Sequence, residues 1–239
     1  GIQLAWLKKF GSSPGHHEDS AATAGLLAAL ARDLYRVGLA ERAEIFVLSD
    51  SRTPAAVFEE MIAVSRLRDI SPVPVWYRRR RSNKGRKAGN VADFVKRWGG
   101  RYDQMVVLDA DSVVGGATIR ALSARMNADP ALGLIQTMPM LVGGQTIFAR
   151  LTQFAGRVYG PAIARGVAAW SGESGNFWGH NAIIRVAAFA QCCGLPELSG
   201  RPPFGGAILS HDFVEAALLR RAGWKVRLDH DLRDSFEGS

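Results

Sequence analysis

The chain has 239 residues, of which 47% are hydrophobic, 9% aromatic and 22% charged. Such a chain can bury one substantial core, and its composition excludes intrinsic disorder. The net charge of +8 predicts an anionic partner, either a nucleotide, a nucleic acid or a membrane surface. We expect no membrane span and no signal peptide, because no apolar run approaches the roughly 18 residues of a span. The two adjacent cysteines, Cys192 and Cys193, predict reduced thiols and a cytosolic setting.

Residues 1–20 are predicted to form an irregular segment, in contrast to the regular pattern of residues 21–239. Ile2–Leu7 could form a short strand, but the glycine-, serine- and proline-rich stretch after it predicts a loop and a displaced first strand. The first helix is predicted over 20–43, where apolar residues recur at helical spacing without a proline. A strand follows over 44–51.

The rest of the chain continues this alternation of helices and strands. Helices are predicted over 54–68, 87–99, 116–129, 146–170 and 209–224, and strands over 73–81, 104–112, 132–140 and 225–231. Residues 176–192 combine a loop, a strand and a short helix. Such alternation is typical of an α/β fold with a mostly parallel sheet and helices on both faces. We therefore predict a single α/β domain over residues 21–239.

Three acids lie at the predicted carboxyl ends of strands: Asp50, Asp109 and Asp111. Ligands of such sheets bind at that edge, so these acids are candidates for one site. Side chains two residues apart on an extended strand point to the same side, and Asp109 and Asp111 could therefore face one cation. Carboxylates suit Mg²⁺ or Mn²⁺, which commonly connects them to a substrate diphosphate. The alternative is a solvated turn in which Asp111 or Ser112 caps the next helix; we favour the metal site.

The basic segment RRRRSNKGRK, residues 78–87, carries much of the positive charge. It could bind nucleic acid, acidic lipid headgroups or a nucleotide, although basic runs often form only a solvated face. We predict that Arg78–Arg81 face solvent or a membrane. Lys87 and Asn90 open a helix, where backbone N–H groups and a lysine can hold phosphate oxygens, so we expect both to line the site.

A later segment, SHDFVEA, places His211 and Asp212 at a predicted helix start. Asp212 could accept a proton there as bond breaking proceeds. In the alternative interpretation, Ser210 or Asp212 caps the helix and Glu215 completes a turn that resembles a capping box. The two interpretations are compatible with each other.

The segment SGESGNFWGHN, residues 171–181, combines small, aromatic and polar side chains. Trp170, Phe177 and Trp178 could stack on sugar faces or pack as core aromatics, and the sequence favours neither. His180 by itself indicates little. The sequence patterns of zinc hydrolases and serine hydrolases do not occur, so these enzyme classes have no support.

Taken together, several segments resemble the glucan glucosyltransferases of glycosyltransferase family 2, which have the GT-A (Rossmann-like) fold. They are FVLSDS, YRRRR, KAGN, MVVLDADSVV, RVYGPAIARG, FWGHNAIIR and LSHDFVEAALLRRAGW, and the resemblance runs from about residue 21 to the C-terminus. It implies an inverting, processive enzyme of the bacterial inner membrane whose catalytic domain lies on the cytoplasmic side. Such an enzyme uses UDP-glucose to extend a growing glucan acceptor, the β-glucan backbone of osmoregulated periplasmic glucans.

The resemblance also implies roles for the residues around the nucleotide. Asp50 would contact the uridine part, and Lys87 and Asn90 would lie beside the nucleotide. Asp109 would contact the nucleotide and, with Asp111, hold the diphosphate through Mg²⁺ or Mn²⁺.

The acceptor side is implied by residues closer to the C-terminus. Asp212 takes the place of the general base, where many relatives read T-E-D and this chain reads S-H-D. Trp178, His180 and His211 would lie in the acceptor region.

Three alternatives remain at this stage. The chain could be another family 2 β-glycan synthase, or a GT-A nucleotide-binding domain that transfers no sugar. A nucleic-acid-binding protein rests on charge alone, and we expect no nucleic-acid partner because no RRM, KH or helix-turn-helix pattern supports one. We expect a catalytic-domain fragment that polymerises weakly or not at all by itself, because the membrane segments and the Q/R-x-x-R-W motif of relatives are absent from it.

Overall fold

The computed structural model describes residues 2–7, 20–196, 198–201, 205–206, 208 and 210–238. The strands in this part of the chain are β1 Ile2–Leu7, β2 Ala43–Ser49, β3 Val75–Arg79, β4 Gln104–Leu108, β5 Val113–Val114, β6 Leu132–Thr137, β7 Met140–Val142, β8 Ala182–Arg185, β9 Lys225–Asp229 and β10 Ser235–Gly238. The helices are α1 Ser20–Arg36, α2 Pro54–Ile70, α3 Arg86–Trp98, α4 Gly116–Ala128, α5 Ile147–Ser171, α6 Val186–Cys192 and α7 His211–Arg221.

Seven of these strands form one mixed sheet in the order β3-β2-β1-β4-β8-β6-β9. All neighbouring strands are parallel except β8, which runs antiparallel to both β4 and β6. The predicted α/β fold with a mostly parallel sheet is therefore confirmed. Among the helices described here, none combines the length and apolarity that crossing a membrane requires.

The first strand corrects one expectation from the sequence. Instead of a displaced strand, Ile2–Leu7 forms β1, which lies between β2 and β4 and is parallel to both. In this position the backbone N–H and C=O groups of the strand can form hydrogen bonds with β2 on one side and with β4 on the other. The rest of the segment that we expected to be irregular, residues 8–19, lies outside the described residues.

The core lies on both faces of the large sheet because successive strand residues point to opposite sides. Ile45 belongs to a buried cluster that includes residues of α1, α2 and α4. Its neighbour Phe46 belongs to a second cluster that includes residues of α3, α6 and α7. This arrangement confirms the expected helices on both faces, and it leaves the strand ends accessible at the edge of the sheet.

A second, three-stranded sheet in the order β5-β10-β7 was not predicted from the sequence. Phe236 of β10 lies opposite Val113 of β5 in an antiparallel pair and opposite Met140 of β7 in a parallel pair. Because β5 begins directly after the turn that contains Asp109 and Asp111, this small sheet brings residues 235–238 to the carboxyl end of β4.

Candidate active site

The two acids of the D-A-D segment lie in a turn at the carboxyl end of β4. The strand ends at Leu108, and the Ser112 backbone N–H donates to the Asp109 carbonyl oxygen at 3.1 Å. The prediction that both carboxylates share one side of an extended strand is therefore wrong, because the backbone turns between them. Asp111 is exposed, whereas the Ser112 that follows it is buried.

Lys87 lies in the first turn of α3 and forms an ion pair with the Asp109 carboxylate. The two side chains are largely buried, with exposed fractions of 14% for Lys87 and 23% for Asp109. Gly89 allows the tight backbone turn before α3, because a Cβ atom at this position would overlap the carbonyl oxygen of Lys84. The KAGN segment thus combines a lysine that faces the acids with a glycine that the local backbone requires.

Asp212 and Lys87 both lie close to Gly179 in the loop before β8. A Cβ atom built on Gly179 would lie 3.4 Å from Asp212 Oδ2 and 3.6 Å from Lys87 Nζ. Gly179 also has a φ of 90°, which a residue with a side chain rarely adopts. The loop before β8 therefore lies against both the Asp212 carboxylate and the Lys87 ammonium group, and Gly179 leaves room for the two groups beside it.

A buried hydrogen-bond network fixes this loop to the end of β6. The side-chain amide of Gln136 donates to the His180 carbonyl oxygen at 2.8 Å and to the Asn181 carbonyl oxygen at 3.2 Å. Its carbonyl oxygen Oε1 accepts from the Trp178 backbone N–H at 3.1 Å. Because Gln136 is fully buried, these bonds replace those that its amide would make with water.

The same network reaches β10 through Ser235. Its hydroxyl group lies 2.8 Å from Thr137 Oγ1 and accepts from Asn181 Nδ2 at 2.9 Å. All three side chains are fully buried, and Asn181 has a left-handed φ of 50°. The network therefore holds three separate parts of the chain together: the end of β6, the loop before β8, and β10.

Glu237 on β10 is a site residue that sequence reasoning missed. Its Oε1 lies 3.5 Å from His180 Nε2, and His180 Nδ1 lies 3.4 Å from Ser112 Oγ. Burial raises the pKa of Glu237, and the nearby Asp111 and Asp109 carboxylates raise it further. No local pattern marks this glutamate, because only the pairing of β10 with β5 brings it close to the two aspartates.

The start of α7 differs from the capping-box interpretation. Ser210 occupies the N-cap position but its side chain makes no capping hydrogen bond, and Asp212 lies one residue inside the helix. Glu215 is buried, and its Oε1 lies 3.5 Å from His211 Nδ1. Burial raises the pKa of Glu215 above its ordinary value, although the nearby His211 opposes the shift. His211 thus contacts Glu215, whereas Asp212 faces Gly179.

The other two residues that we predicted to contact the nucleotide, Asp50 and Asn90, bind arginine side chains. Asp50 accepts two hydrogen bonds from Arg80, at 2.7 Å from Nε and 2.8 Å from Nη2. Asn90 is buried, and its side-chain oxygen accepts from Arg78. The structure thus brings Lys87, Asp109 and Asp212 together, whereas Asp50 and Asn90 bind arginine side chains instead.

The two arginines correct the prediction that Arg78–Arg81 all face solvent or a membrane. Arg78 pairs with Asp93 at 2.5 Å, and its side chain is only 14% exposed. Arg80 pairs with Asp50, and its side chain is only 10% exposed. Arg79 and Arg81 are exposed, as predicted. Alternate residues of an extended backbone face opposite sides, so the arginines at the end of β3 and just after it are divided between buried partners and solvent.

Asp109 and Asp111 are the residues at this edge that could hold a divalent cation, with a substrate supplying the other ligands. In the part of the chain that the structure describes, no group of three or more His, Cys, Asp or Glu side chains is arranged to hold a metal ion. Mg²⁺ is usually bound by one or two carboxylates, with substrate phosphates and water as its other ligands. Asp109 and Asp111 supply such a pair of hard oxygen donors at the edge of the sheet.

The profile of glycosyl transferase family 21 matches residues 74–238 of this chain. The chain belongs to glycosyl transferase family 21. The matched range contains Lys87, Asp109, Asp111 and Asp212. The sequence motifs resembled glycosyltransferase family 2, whereas the matching family model is that of family 21. The predicted resemblance to glycosyltransferases is confirmed.

Similar proteins give the same picture. The chain is 51% identical over 226 residues to the "glucans biosynthesis glucosyltransferase H" of Shewanella sp. strain ANA-3. The alignment covers 94% of this chain and 31% of that protein. The protein of the same name from Shewanella oneidensis strain MR-1 matches with the same identity and coverage. This family 21 chain therefore spans about a third of the length of these curated relatives.

Among solved structures, the chain is similar to a mannosyltransferase from Pyrobaculum calidifontis in complex with GDP-Man and Mn²⁺. The alignment covers 100% of this chain and 56% of the other, with a TM-score of 0.57 and 13% sequence identity. At this identity the similarity concerns the fold alone, and it confirms the predicted GT-A fold of the family 21 chain.

The buried Glu215 gives a testable dependence of stability on pH. Its pKa in the folded chain is raised above the ordinary 4.5, so the wild type loses stability as the pH rises from 4.5 through the folded-state value. We expect the Glu215→Gln variant to unfold at higher urea than the wild type at neutral pH. The two should converge below about pH 4.5, where the glutamate is protonated in both states.

The measurement is urea denaturation across this pH range, with Glu59→Gln on the exposed side of α2 as the matched control. A difference between Glu215→Gln and the wild type that does not change with pH would contradict the assignment.

Proposed function

We propose that the chain is the catalytic part of an inverting, processive glucosyltransferase. It would transfer glucose from UDP-glucose to a growing glucan, the β-glucan backbone of osmoregulated periplasmic glucans. Membership of family 21 and the name of the Shewanella relatives support this proposal. The observation that carries it is that Lys87, the partner of Asp109, and Asp212 both lie against Gly179. The ammonium group of Lys87, which pairs with Asp109, and the separate carboxylate of Asp212 thus belong to one site.

The leaving group is the UDP diphosphate, whose negative charge grows as the bond to glucose breaks. Lys87 is a flexible ammonium group with three donors, so it can contact phosphate oxygens while it remains close to Asp109. Asp109 and Asp111 would hold Mg²⁺ or Mn²⁺. When bound, the ion would act as a Lewis acid that neutralises the departing diphosphate.

The attacking group is a hydroxyl of the glucan acceptor, and it must lose a proton. Inverting transfer proceeds by one in-line displacement, so the acid that takes this proton must be separate from the acids at the diphosphate. Asp212 is such a carboxylate: it lies in the first turn of α7 and faces Gly179 rather than capping the helix. We assign it the role of general base, which takes the proton of the acceptor hydroxyl on its Oδ2.

The loop before β8 supplies the candidate contacts to the sugar. Trp178 precedes Gly179, is partly exposed, and donates its backbone N–H to Gln136, so its apolar ring is accessible in a loop whose backbone is held in place. We propose that Trp178 and His180 contact the acceptor region. His211 would support the site through Glu215, because its imidazole contacts that buried carboxyl group.

The expected location is also a proposal. We place the protein at the bacterial inner membrane, with this domain on the cytoplasmic side and the membrane anchor in segments outside this chain. The resemblance to glucan glucosyltransferases supports this location, and so do Cys192 and Cys193, both of which are free thiols.

Calorimetric titration of UDP tests the nucleotide site. The chain should bind UDP in the presence of Mg²⁺ or Mn²⁺, and EDTA should abolish the heat of binding. Asp111→Asn should weaken UDP binding by at least about tenfold, because it removes one charged ligand of the ion.

Asp69→Asn, at an exposed position of α2, is the matched control and should bind UDP as the wild type does. Binding of UDP that neither EDTA nor Asp111→Asn weakens would contradict the proposed site.

Asp212→Asn tests the base. We expect the rate of UDP release from UDP-glucose, with a β-glucan oligosaccharide as acceptor, to fall by about 10²- to 10⁴-fold. The affinity for UDP should stay unchanged, because the asparagine removes only the proton acceptor. A variant that turns over at the wild-type rate, or that loses UDP binding, would remove Asp212 from this role.

A further inference from the structure

The largely buried side chain of Arg80 lies between the end of β2 and the turn that precedes α3. Arg80 directly follows β3, and its backbone N–H donates to the Ser49 carbonyl oxygen at 3.0 Å. Its side chain is only 10% exposed. The pairing of the two strands therefore fixes the point from which the side chain extends.

Asp50 supplies the acceptors on one side of the Arg80 guanidinium group. Its Oδ1 accepts from Nε at 2.7 Å, and its Oδ2 accepts from Nη2 at 2.8 Å. A pair that uses both carboxylate oxygens fixes the plane of the guanidinium group as well as its position. The other N–H groups of Arg80 therefore point in defined directions.

These other N–H groups donate to the backbone of the turn before α3. Nη1 donates to the Lys84 carbonyl oxygen at 3.1 Å, and Nη2 donates to the Arg86 carbonyl oxygen at 2.9 Å. The guanidinium group thus joins the turn to Asp50 through four hydrogen bonds. A lysine cannot reproduce this arrangement, because its ammonium group has three donors on a single nitrogen.

The turn has a backbone conformation that depends on its surroundings. Gly85 has a φ of 68°, and the next residue, Arg86, has a φ of 48° although it is not a glycine. A residue with a side chain is strained in this left-handed region and stays there only when neighbouring groups hold it. The bonds from Arg80 to the carbonyl oxygens on both sides of Gly85 hold the turn in this conformation.

The same turn determines where Lys87 lies. Arg86 is the first residue of α3 and Lys87 is the second, so a shift of the turn would displace the lysine with it. The Lys87 ammonium group pairs with Asp109 and lies near Gly179. The position of this ammonium group therefore depends on the hydrogen bonds that Arg80 donates to the turn.

We propose that Arg80 is a positioning residue that holds the first turn of α3 so that Lys87 meets the diphosphate of the nucleotide. The inference rests on the diphosphate site proposed above. It adds a residue that acts through Lys87 rather than on the nucleotide itself. Because the same guanidinium group binds Asp50, two separate segments of the proposed nucleotide site are held by one side chain.

Calorimetric titration of Arg80→Lys with UDP and with uridine, both in Mg²⁺, tests this role. The variant keeps a positive charge beside Asp50 but loses hydrogen bonds to the turn. We expect its affinity for UDP to fall by about fivefold or more, because Lys87 no longer meets the diphosphate in the right place. Its affinity for uridine, which has no phosphate, should stay within about twofold of the wild type. An equal loss for both ligands would contradict the role.

A double-mutant cycle shows whether Arg80 acts through Lys87. Lys87→Gln should lower the affinity for UDP by about tenfold, because a charge-assisted contact to phosphate is lost. The double variant Arg80→Lys, Lys87→Gln should bind UDP as weakly as Lys87→Gln alone, since a displaced turn has no further effect once the lysine is absent. Losses that multiply, to about fiftyfold, would overturn the proposal.

Arg81→Lys is the matched control, because it is the same substitution at the next residue, whose side chain is exposed. It should bind UDP and uridine as the wild type does, and a loss of UDP affinity equal to that of Arg80→Lys would overturn the proposal. Lys87→Gln with wild-type affinity for UDP would refute the diphosphate site and this inference with it. Weaker binding in Lys87→Gln but not in Arg80→Lys would refute the role of Arg80 alone.

Hydrogen exchange measured by mass spectrometry examines the turn without a ligand. The Arg86 N–H donates to the Asn83 carbonyl oxygen at 3.1 Å, and the Gly89 N–H donates to the Gly85 carbonyl oxygen at 2.8 Å. In Arg80→Lys these two amides should exchange at least about tenfold faster than in the wild type, while the amides of β4 stay protected. Unchanged exchange in the turn would overturn the proposal. Faster exchange in β4 as well would also overturn it, because Arg80 would then support the whole fold.

Discussion

The buried side chain of Gln136 is the constraint on which the site depends. It holds the backbone of Trp178, His180 and Asn181, while Asn181 and Thr137 bond to Ser235. Polar groups this deeply buried destabilise a fold strongly when they lose a partner, so the network allows few other arrangements of these segments. It therefore fixes the loop that carries Gly179 and the strand that carries Glu237 relative to the large sheet.

Two of the acids at the strand ends are tolerated because each pairs with a cationic side chain. Asp109 pairs with Lys87, and Asp50 pairs with Arg80, at the carboxyl ends of β4 and β2. A carboxylate with neither a charged partner nor water would be costly at such a position. Asp111 differs from these two because it is exposed. The edge of the sheet thus holds a neutralised pair beside an accessible carboxylate, and the proposed diphosphate site is built on this arrangement.

The sequence predicted correctly those features that depend on a local pattern of residues. The helical spacing of α1 and the apolar run of β4 gave correct elements, and the KAGN segment gave a lysine that faces Asp109. The D-x-D segment located the acids at the right edge. Its local geometry was wrong because a two-residue spacing describes side chains only while the backbone stays extended, and here it turns at Asp109.

The features that sequence missed are those that distant pairing creates. Glu237 reaches the acids only because β10 pairs with β5, and strands as short as the two residues of β5 leave no periodic signal. Arg78 and Arg80 are largely buried, unlike the neighbouring arginines, because they pair with Asp93 and Asp50, which are 15 and 30 residues away in the chain. The first strand was expected to be displaced, yet its backbone pairs with two parallel neighbours, β2 and β4.

A crystal structure of the chain with UDP and Mn²⁺ tests the central claim most directly. The account predicts the metal ion on the Asp109–Asp111 turn, the diphosphate within hydrogen-bonding distance of Lys87, and the Asp212 carboxylate beside Gly179 without a contact to the metal ion. A nucleotide bound elsewhere, for example in the groove of about 680 Å³ between α1 and α2, would contradict it.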